Sequence, residues 1–509
     1  MRLARLVSEI PSFTLRGEAT AQISGVAYDS RKVASGDLFV AIRGAHVDGH
    51  DYIPEALARG AAAVMAEAGR PLQIPVPLVQ VPDPHAALAD VAAAFYSYPA
   101  RELLVIGVTG TDGKTTTSFF TSSVLEAIGH TTALFGTVDF KIGPRRWANK
   151  SRQTTPESLE VQAFLREAVE AGCTAAVLES SSHGLALNRL EHCAYDVAVL
   201  TNVTHEHLEL HGTVEDYRLA KARLFDMLGE ALKVSANGTL YRGRGTGVVN
   251  LDDPHAAMYA ARTPFDLWTY ARHHPEARVR ARKVVPGPTG TTFIAETPAG
   301  PVPVTLQLPG LFNVYNALAA ACVGLALEAT PEQVAHGLAT MDGVTGRMQT
   351  VDMGQPFTVL VDYAHTPESF ETVMGMLRPV VAGRMIAVFG SAGERDREKR
   401  PMQGEVAACY CELLVITDED PRQENREAIL DEIATGAERL GKKRGVDYLC
   451  IADRREAMRA AFERAQPGDL VLLLGKGHEG CIFYADHTLP WNENAVAREV
   501  LGEMGYDKE

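Results

Sequence analysis

The sequence predicts an α/β protein in which parallel sheets are covered by helices, and three observations predict it. Short apolar runs at 103–110, 175–180, 197–204, 358–365, 385–390, 413–418 and 470–475 each end in glycine, polar or acidic text. Helical patterns lie between these runs, and strand–helix alternation is the mark of a parallel sheet buried on both faces. The chain has 509 residues, enough for about three domains at roughly 100–200 residues each.

Three blocks follow in order. Residues 1–100 form a smaller α/β block that closes with the Ala-rich helical stretch 87–98 and is stopped by Pro99. Its opening segment, MRLARLVSEIPSF, reads as an amphipathic helix rather than a signal peptide. Residues 101–342 begin with a buried strand that enters a Gly-rich turn, as in a P-loop-type parallel sheet. Within this block, 240–305 is rich in Gly, Pro and Thr and reads as an antiparallel insertion. Residues 343–509 repeat the α/β rhythm as a Rossmann-like domain, whose ligands are expected beyond the carboxyl ends of its strands.

The net charge of −15 excludes a general nucleic-acid binder, which needs clustered cations. No stretch of about 20 apolar residues exists, so no membrane span is expected. The seven cysteines are odd in number and scattered, which fits a reducing cytoplasm. Cys409 and Cys411 have no second pair nearby and read as buried free thiols rather than metal ligands. A monomer is expected.

The strongest motif is Gly107-Val108-Thr109-Gly110-Thr111-Asp112-Gly113-Lys114-Thr115-Thr116. Glycines let backbone fold around phosphate oxygens, and a helix N-terminus favours anions. Lys114 offers a point charge to the β- and γ-phosphates of ATP, and the Thr115 hydroxyl can reach Mg²⁺. The strict P-loop spacing would put glycine where Val108 stands, so the loop is a variant.

With Asp112 in place of a usual asparagine, this loop resembles that of the Mur ligase family, and many further motifs resemble the MurE type within it. Tyr28-Asp29-Ser30-Arg31-Lys32-Val33, Gly36-Asp37-Leu38-Phe39-Val40-Ala41 and Asp48-Gly49-His50 are similar to a uridine-binding domain, which implies a contact from Ser30 to UDP. Alone, Asp29-Ser30-Arg31 would read as a solvated turn. Thr154-Thr155-Pro156 and Glu179-Ser180-Ser181-Ser182-His183-Gly184-Leu185 imply substrate contacts at Thr154, Thr155, Ser181 and Arg189, although Leu187 replaces an expected glutamine. Residues 201–211, TNVTHEHLELH, imply that Glu179 and His207 bind Mg²⁺; His207 as a general base is the weaker alternative. Their histidines and carboxylates could also suggest zinc, but oxygen-rich Mg²⁺ chemistry suits an ATP site better. Lys221, in Tyr217-Arg218-Leu219-Ala220-Lys221, takes the place of a lysine that this family carbamylates, which implies an anion able to hold a second Mg²⁺. Asn316, Arg347 and Asp362 are the further implied ATP contacts.

The third block holds the implied amino-acid pocket. Arg395 stands in a segment that resembles G-x-G-G-D-R-D, and Gly475 and Glu479 belong to a G-K-G-H-E motif. Glu419-Asp420-Pro421-Arg422 stands where diaminopimelate-adding members have D-N-P-R. A retained Arg422 suits a second carboxylate and favours meso-diaminopimelate. The added acid could instead favour L-lysine or L-ornithine. The reaction so implied joins a diamino acid to the D-Glu γ-carboxylate of UDP-MurNAc-L-Ala-D-Glu through an acyl phosphate, with release of ADP and phosphate. The rivals are folylpolyglutamate synthase, against which residues 25–62 speak; a P-loop switch or transport ATPase; and a non-catalytic scaffold, against which the joint presence of Lys114, Glu179, His207 and Lys221 speaks.

Overall fold

A computed structural model describes residues 1–44, 47–149, 153–204, 211–229, 232–234, 240–341 and 343–507. The chain forms two compact units: residues 1–280, 297–299 and 316–337 make the first, and 281–296, 300–315 and 338–509 the second.

The first unit carries a small sheet and most of a large one. The small sheet runs in the order Thr14–Arg16, Leu78–Val81, Ala63–Glu67, Asp37–Val40, Gly25–Ala27, with only the first pair antiparallel. In the large sheet Leu104–Thr109 lies between Ala175–Glu179 and Val197–Leu200, parallel to both. Beyond Ala175–Glu179 come Thr132–Phe135 and the antiparallel strands Asp139–Ile142 and Arg145–Ala148. The inner strands are buried almost throughout, which is why they read as continuous apolar text rather than as alternation.

Two expectations are corrected here. The stretch 240–305 is not wholly an antiparallel insertion. Thr246–Asn250 pairs in parallel with Val197–Leu200, and Asp266–Ala271 pairs in parallel with Thr246–Asn250. The helix joining this pair, Ala256–Ala260, has only five residues, too few to give a helical period. The N-terminal helix also shrinks to Leu3–Leu6. Leu3 N and Ile23 N bond to Ala21 O and Met1 O, tying the segment to the 19–23 stretch, and Pro11 disfavours a helical Ile10. Leu3, Leu6, Val7 and Ile10 are nonetheless buried in the core with Leu88 and Val91.

The helix Lys114–Ala127 is rich in Thr and Ser, residues with modest helix propensity. It forms because the sheet covers it. Thr117, Ser118 and Thr121 are fully buried, and Ser122 shares a 2.7 Å hydrogen bond with Thr132.

The second unit holds a sheet in the order Gln349–Val351, Thr358–Asp362, Leu470–Leu474, Met385–Phe389, Leu413–Ile416, Tyr448–Cys450, parallel except at the first strand. The helices Lys399–Tyr410 and Arg426–Arg439 meet at two glycines. A Cβ on Gly404 would overlap Ile433 O, and one on Gly436 would overlap Pro401 O, so only glycine lets the backbones approach this closely. Cys411 is buried as expected, but Cys409 is exposed near the end of the first of these helices, and all seven cysteines are free thiols. Among the described residues no group of three His, Cys, Asp or Glu could hold a metal ion, and no helix is long and apolar enough to cross a membrane.

Asp196 and Lys233 form a buried pair at 2.5 Å, each side chain 1% exposed. Asp196 also accepts from Val105 N, and Lys233 donates to Leu103 O, so together they staple the start of the phosphate-loop strand. Asp196→Ala leaves a buried ammonium without its counter-charge and is expected to destabilise the first unit by about 3–5 kcal/mol, read as a lowered thermal midpoint.

Candidate active site

The strand Leu104–Thr109 delivers the chain into the loop 110–113, and the Lys114–Ala127 helix opens at its end. Val108 is fully buried inside that strand, in register with Glu179 and Val199. The position where a strict P-loop has its first glycine is therefore sheet here, not loop. Gly110 has φ +149° and Gly113 φ +79°; a Cβ on the first would overlap Thr201 Oγ1, and on the second Asn316 Oδ1. The end of the neighbouring strand braces the loop. Thr111 N donates to Asn202 O (2.8 Å), Asp112 N to Asn202 Oδ1 (3.0 Å), and Thr201 Oγ1 to Asp112 O (2.6 Å). Asp112 is exposed, while Thr115 and Thr116 are buried. Asn316 Oδ1 accepts from Thr117 Oγ1 at 3.2 Å, which places Asn316 against the helix that opens at the loop.

Glu179, at the carboxyl end of its strand, is wholly buried and takes three donors. Thr115 Oγ1 and Thr137 Oγ1 donate to Oε2 at 3.0 and 2.7 Å, and Thr137 N donates to Oε1 at 3.0 Å. Burial raises its pKa, against the Thr137 hydroxyl and the nearby Lys114 charge, which favour the carboxylate. Thr137 carried no motif. Its signal was positional: it lies just past the strand Thr132–Phe135, where α/β sheets place their ligands. Its oxygen lies 3.1 Å from Thr154 Oγ1, and Thr155 Oγ1 donates to Glu179 O at 2.9 Å. Ser181 Oγ donates to Thr155 Oγ1 and caps the next short helix by accepting from Gly184 N. Arg189 donates to Thr155 O and pairs with Glu157 at 2.5 Å.

Lys221 projects from the helix Val214–Asp226, is 1% exposed, and donates to Gly110 O at 2.6 Å. Its ammonium also sits 4.4 Å from the centre of the Tyr217 ring. Lys114 donates to the same Gly110 O at 3.0 Å and to Thr111 O at 2.7 Å. Two lysine head groups thus converge on one loop carbonyl. Ser30 is buried and donates to Glu55 Oε2 at 2.9 Å, a partner the sequence did not suggest. His207 lies outside the described residues.

In the second unit, Asp362 is buried and accepts from Met348 N and Ala364 N, each at 2.8 Å. Burial raises its pKa against the Arg347 charge and these amides. Arg347 stacks over Tyr363, 5.1 Å from the ring centre. Gly346 is packed so tightly on Gly477 and His478 that a Cβ would overlap their backbone. Asp420 accepts from Lys476 Nζ at 2.9 Å and from Phe483 N at 3.0 Å, and Lys476 also donates to Glu479 at 2.6 Å. Lys476, quoted in a motif but given no role, is therefore the joint between two expected pocket acids. Glu419 is 6% exposed, and its Oε2, which lies beside Gly475, has no hydrogen-bond partner among the described residues. Burial pushes its pKa up to about 7, opposed by Lys399, Lys476 and Arg454. Arg422, after buried Pro421, holds φ +53° and donates its N–H to Phe483 O, while Arg395 stands exposed on the neighbouring loop.

A nucleotide loop backed by a buried carboxylate and a buried lysine, together with a second α/β domain rich in charged strand-end residues, defines a class of ATP-using ligase. Comparison with known proteins gives the family. Residues 108–324 match the Mur ligase middle domain, 346–477 the Mur ligase glutamate ligase domain, and 22–96 the Mur ligase family catalytic domain. The chain is 53% identical over 514 residues to a UDP-N-acetylmuramyl-tripeptide synthetase of Roseiflexus sp. (strain RS-1), covering 99% of this chain and 100% of that protein. It is 41% identical over 506 residues to a UDP-N-acetylmuramoyl-L-alanyl-D-glutamate–2,6-diaminopimelate ligase of Geobacillus kaustophilus (strain HTA426), with 99% and 100% covered. A solved structure titled as a UDP-N-acetylmuramoyl-L-alanyl-D-glutamate–2,6-diaminopimelate ligase superposes with a TM-score of 0.71 at 29% identity, covering 99% of each chain. The chain belongs to the Mur ligase family, ATP-dependent ligases that form amide bonds on a three-domain α/β fold.

The raised pKa of Glu419 has a sign. As pH rises from 4.5 to 7, the unfolded chain gives up this proton while the folded protein keeps it, so stability falls with pH across that window. Glu419→Gln is expected to remove a fall of about 3 kcal/mol, taking about 1.4 kcal/mol per tenfold change in proton affinity. Thermal unfolding of both proteins across the window measures it; parallel pH profiles would refute the assignment.

Proposed function

We propose that this protein adds meso-diaminopimelate to the D-Glu γ-carboxylate of UDP-MurNAc-L-Ala-D-Glu, consuming ATP, in peptidoglycan synthesis. The observation that carries the reading is the arrangement around the loop of the first unit: Lys114 and Lys221 both donate to Gly110 O, and Thr115 donates to the buried Glu179 carboxylate, which also feels the Lys114 charge.

In this reading Gly110, Thr111, Asp112, Gly113, Lys114, Thr115, Thr116 and Asn316 receive the ATP phosphates, with Arg347 and Asp362 as its further contacts. Lys114 releases the loop carbonyls to meet the β- and γ-phosphates, and stabilises charge as the phosphoryl group moves to the substrate carboxylate. The amine of the incoming amino acid then attacks the acyl phosphate, forming the amide and expelling phosphate. The Thr115 hydroxyl and Glu179 carboxylate are hard oxygen donors, and Mg²⁺ is commonly held by one or two carboxylates plus substrate phosphates, so the residues fit. When bound, the ion neutralises phosphate charge; His207 is a further implied ligand.

Lys221 as a carbamate is part of the proposal. Its support is the meeting of two ammonium groups on Gly110 O. Two ammonium groups that share one acceptor repel each other. Converting the Lys221 ammonium to a carbamate removes that repulsion, while its remaining N–H can still donate.

Ser30, Thr154, Thr155, Ser181 and Arg189 are assigned to the UDP substrate, and Arg395, Glu419, Asp420, Pro421, Arg422, Gly475 and Glu479 to the amino acid. Asp420 is held by Lys476 and the Phe483 amide, so its charge is already answered within the protein. That weakens the case for it as a reader of a lysine or ornithine ammonium, and Arg422 remains suited to a distal carboxylate. Functional domains are assigned to 1–100, 101–342 and 343–509, in a cytoplasmic monomer that binds neither nucleic acid nor membrane.

Lys114→Ala is expected to lower ADP formation in the presence of UDP-MurNAc-L-Ala-D-Glu by about 100-fold or more. ATP turnover equal with and without that substrate would favour a switch ATPase instead. A competition among meso-diaminopimelate, L-lysine and L-ornithine, read by product mass, is expected to return the diaminopimelate product; a lysine or ornithine product would overturn the choice of amino acid.

A further inference from the structure

The two arginines assigned to the amino acid lie on adjacent loops. One follows the strand Met385–Phe389 and carries Arg395; the other follows Leu413–Ile416 and carries Arg422, and the two strands pair in parallel. Beyond the strand ends the loops stay stitched together. A Cβ on Gly390 would overlap Thr417 O, and one on Gly393 would overlap Pro421 O. Gly393 N donates to Asp420 O at 2.8 Å, and Glu394 N donates to Glu424 Oε1 at 2.5 Å.

One guanidinium gathers this seam. Arg400, in the first turn of the helix Lys399–Tyr410, has a side chain 0% exposed. Its Nη1 donates to Glu424 Oε2 at 2.9 Å and to Glu432 Oε2 at 2.7 Å; its Nη2 donates to Glu424 Oε1 at 3.0 Å and to Ala392 O at 3.2 Å. The planar fork thus takes Glu424 with both nitrogens while holding the other loop by a carbonyl, a geometry that lysine cannot copy. Exposed Arg397 adds a further ion pair to Glu432. Arg400 also holds the Glu424 carboxyl down at about 2, so the pair stays ionised at working pH. Glu394 (φ +56°) and Arg422 (φ +53°) are non-glycine residues in the left-handed region, one on each loop. Such backbone persists only where its surroundings fix it, and the Arg400 seam supplies that fixing.

We propose that Arg400 and Glu424 form a clamp that sets the relative placement of Arg395 and Arg422, which makes both positioning residues for the incoming amino acid. The clamp rests on the reading that Arg395 and Arg422 bind that amino acid. Bidentate recognition of carboxylates needs guanidinium groups at fixed positions, and a misplacement of about 1 Å can cost about 100-fold.

The test is steady-state kinetics on the full-length enzyme with ATP, UDP-MurNAc-L-Ala-D-Glu and meso-diaminopimelate. The variants are Glu424→Gln, Arg400→Lys, Arg395→Ala and Arg422→Ala, and the double variants that pair Glu424→Gln with each arginine removal. Glu424→Gln and Arg400→Lys are expected to raise KM for the diamino acid about tenfold or more, with KM for the other two substrates changed by less than about twofold. The double variants are expected to lose less than the product of the single losses, because the clamp acts through the arginines. If Arg400→Lys does not fold, Glu424→Gln decides alone. A folded Glu424→Gln enzyme with unchanged diamino-acid KM, or with all three KM values raised together, overturns the clamp and leaves the pocket reading standing. Unchanged diamino-acid KM in Arg395→Ala and Arg422→Ala overturns the pocket reading and the clamp with it.

Discussion

The carbonyl oxygen of Gly110 is the point on which the Gly-rich loop of the first unit turns. It lies one residue past a strand buried from Val105 onward, in a conformation that only glycine adopts without strain, and it faces the amino groups of Lys114 and Lys221. Moving it would shift both lysines at once. The loop is therefore braced on its far side by Thr201 and Asn202, and the strand beneath it is stapled by the buried Asp196–Lys233 pair. Glu179 reaches the same loop system through the Thr115 hydroxyl, so the carboxylate, the phosphate helix and the two lysines respond as a set. On the proposed reading, this bracing would hold the hydrogen-bond donors in place before any ligand arrives, as electrostatic catalysis requires.

The second unit uses a different device. Its strand ends carry several charges in little space, and most are cancelled locally. Lys476 answers Asp420 and Glu479, Arg454 answers Glu493 at 2.5 Å, and Arg426 answers Asp418. Arg454 also donates to Asp418 O and Leu474 O, tying the ends of two strands together just before Glu419 and Gly475. Among the described residues, Glu419 Oε2 and Asp418 Oδ1 are buried carboxylate oxygens without a hydrogen-bond partner. On the proposed reading, such neutralisation would leave a small number of charges to discriminate between amino acids.

Much of this was legible in the sequence. Inner parallel strands are buried on both faces, so runs such as 470–474 are apolar throughout and stand out from their surroundings. The phosphate loop was legible because glycine and lysine at that spacing after a strand have few other uses. The parts that escaped share a cause: their role depends on long-range partners. Thr137 matters because it meets Glu179, 42 residues away, and Arg400 because it meets Glu424 and Glu432 across two elements. The Thr246–Asp266 region was misread because a five-residue helix leaves no periodicity, and Cys409 because its helix turns that face outward. The bond from Ser30 to Glu55 escaped as well, since a serine hydroxyl leaves no spacing pattern for its partner.

The Thr- and Ser-rich character of the helix after the phosphate loop has a consequence for motion. A segment with so little intrinsic preference for the helix cannot keep its shape when detached from the sheet that encloses it. The helix therefore depends on the sheet that encloses it, and a loss of packing in the unit would be felt first by the loop at its start.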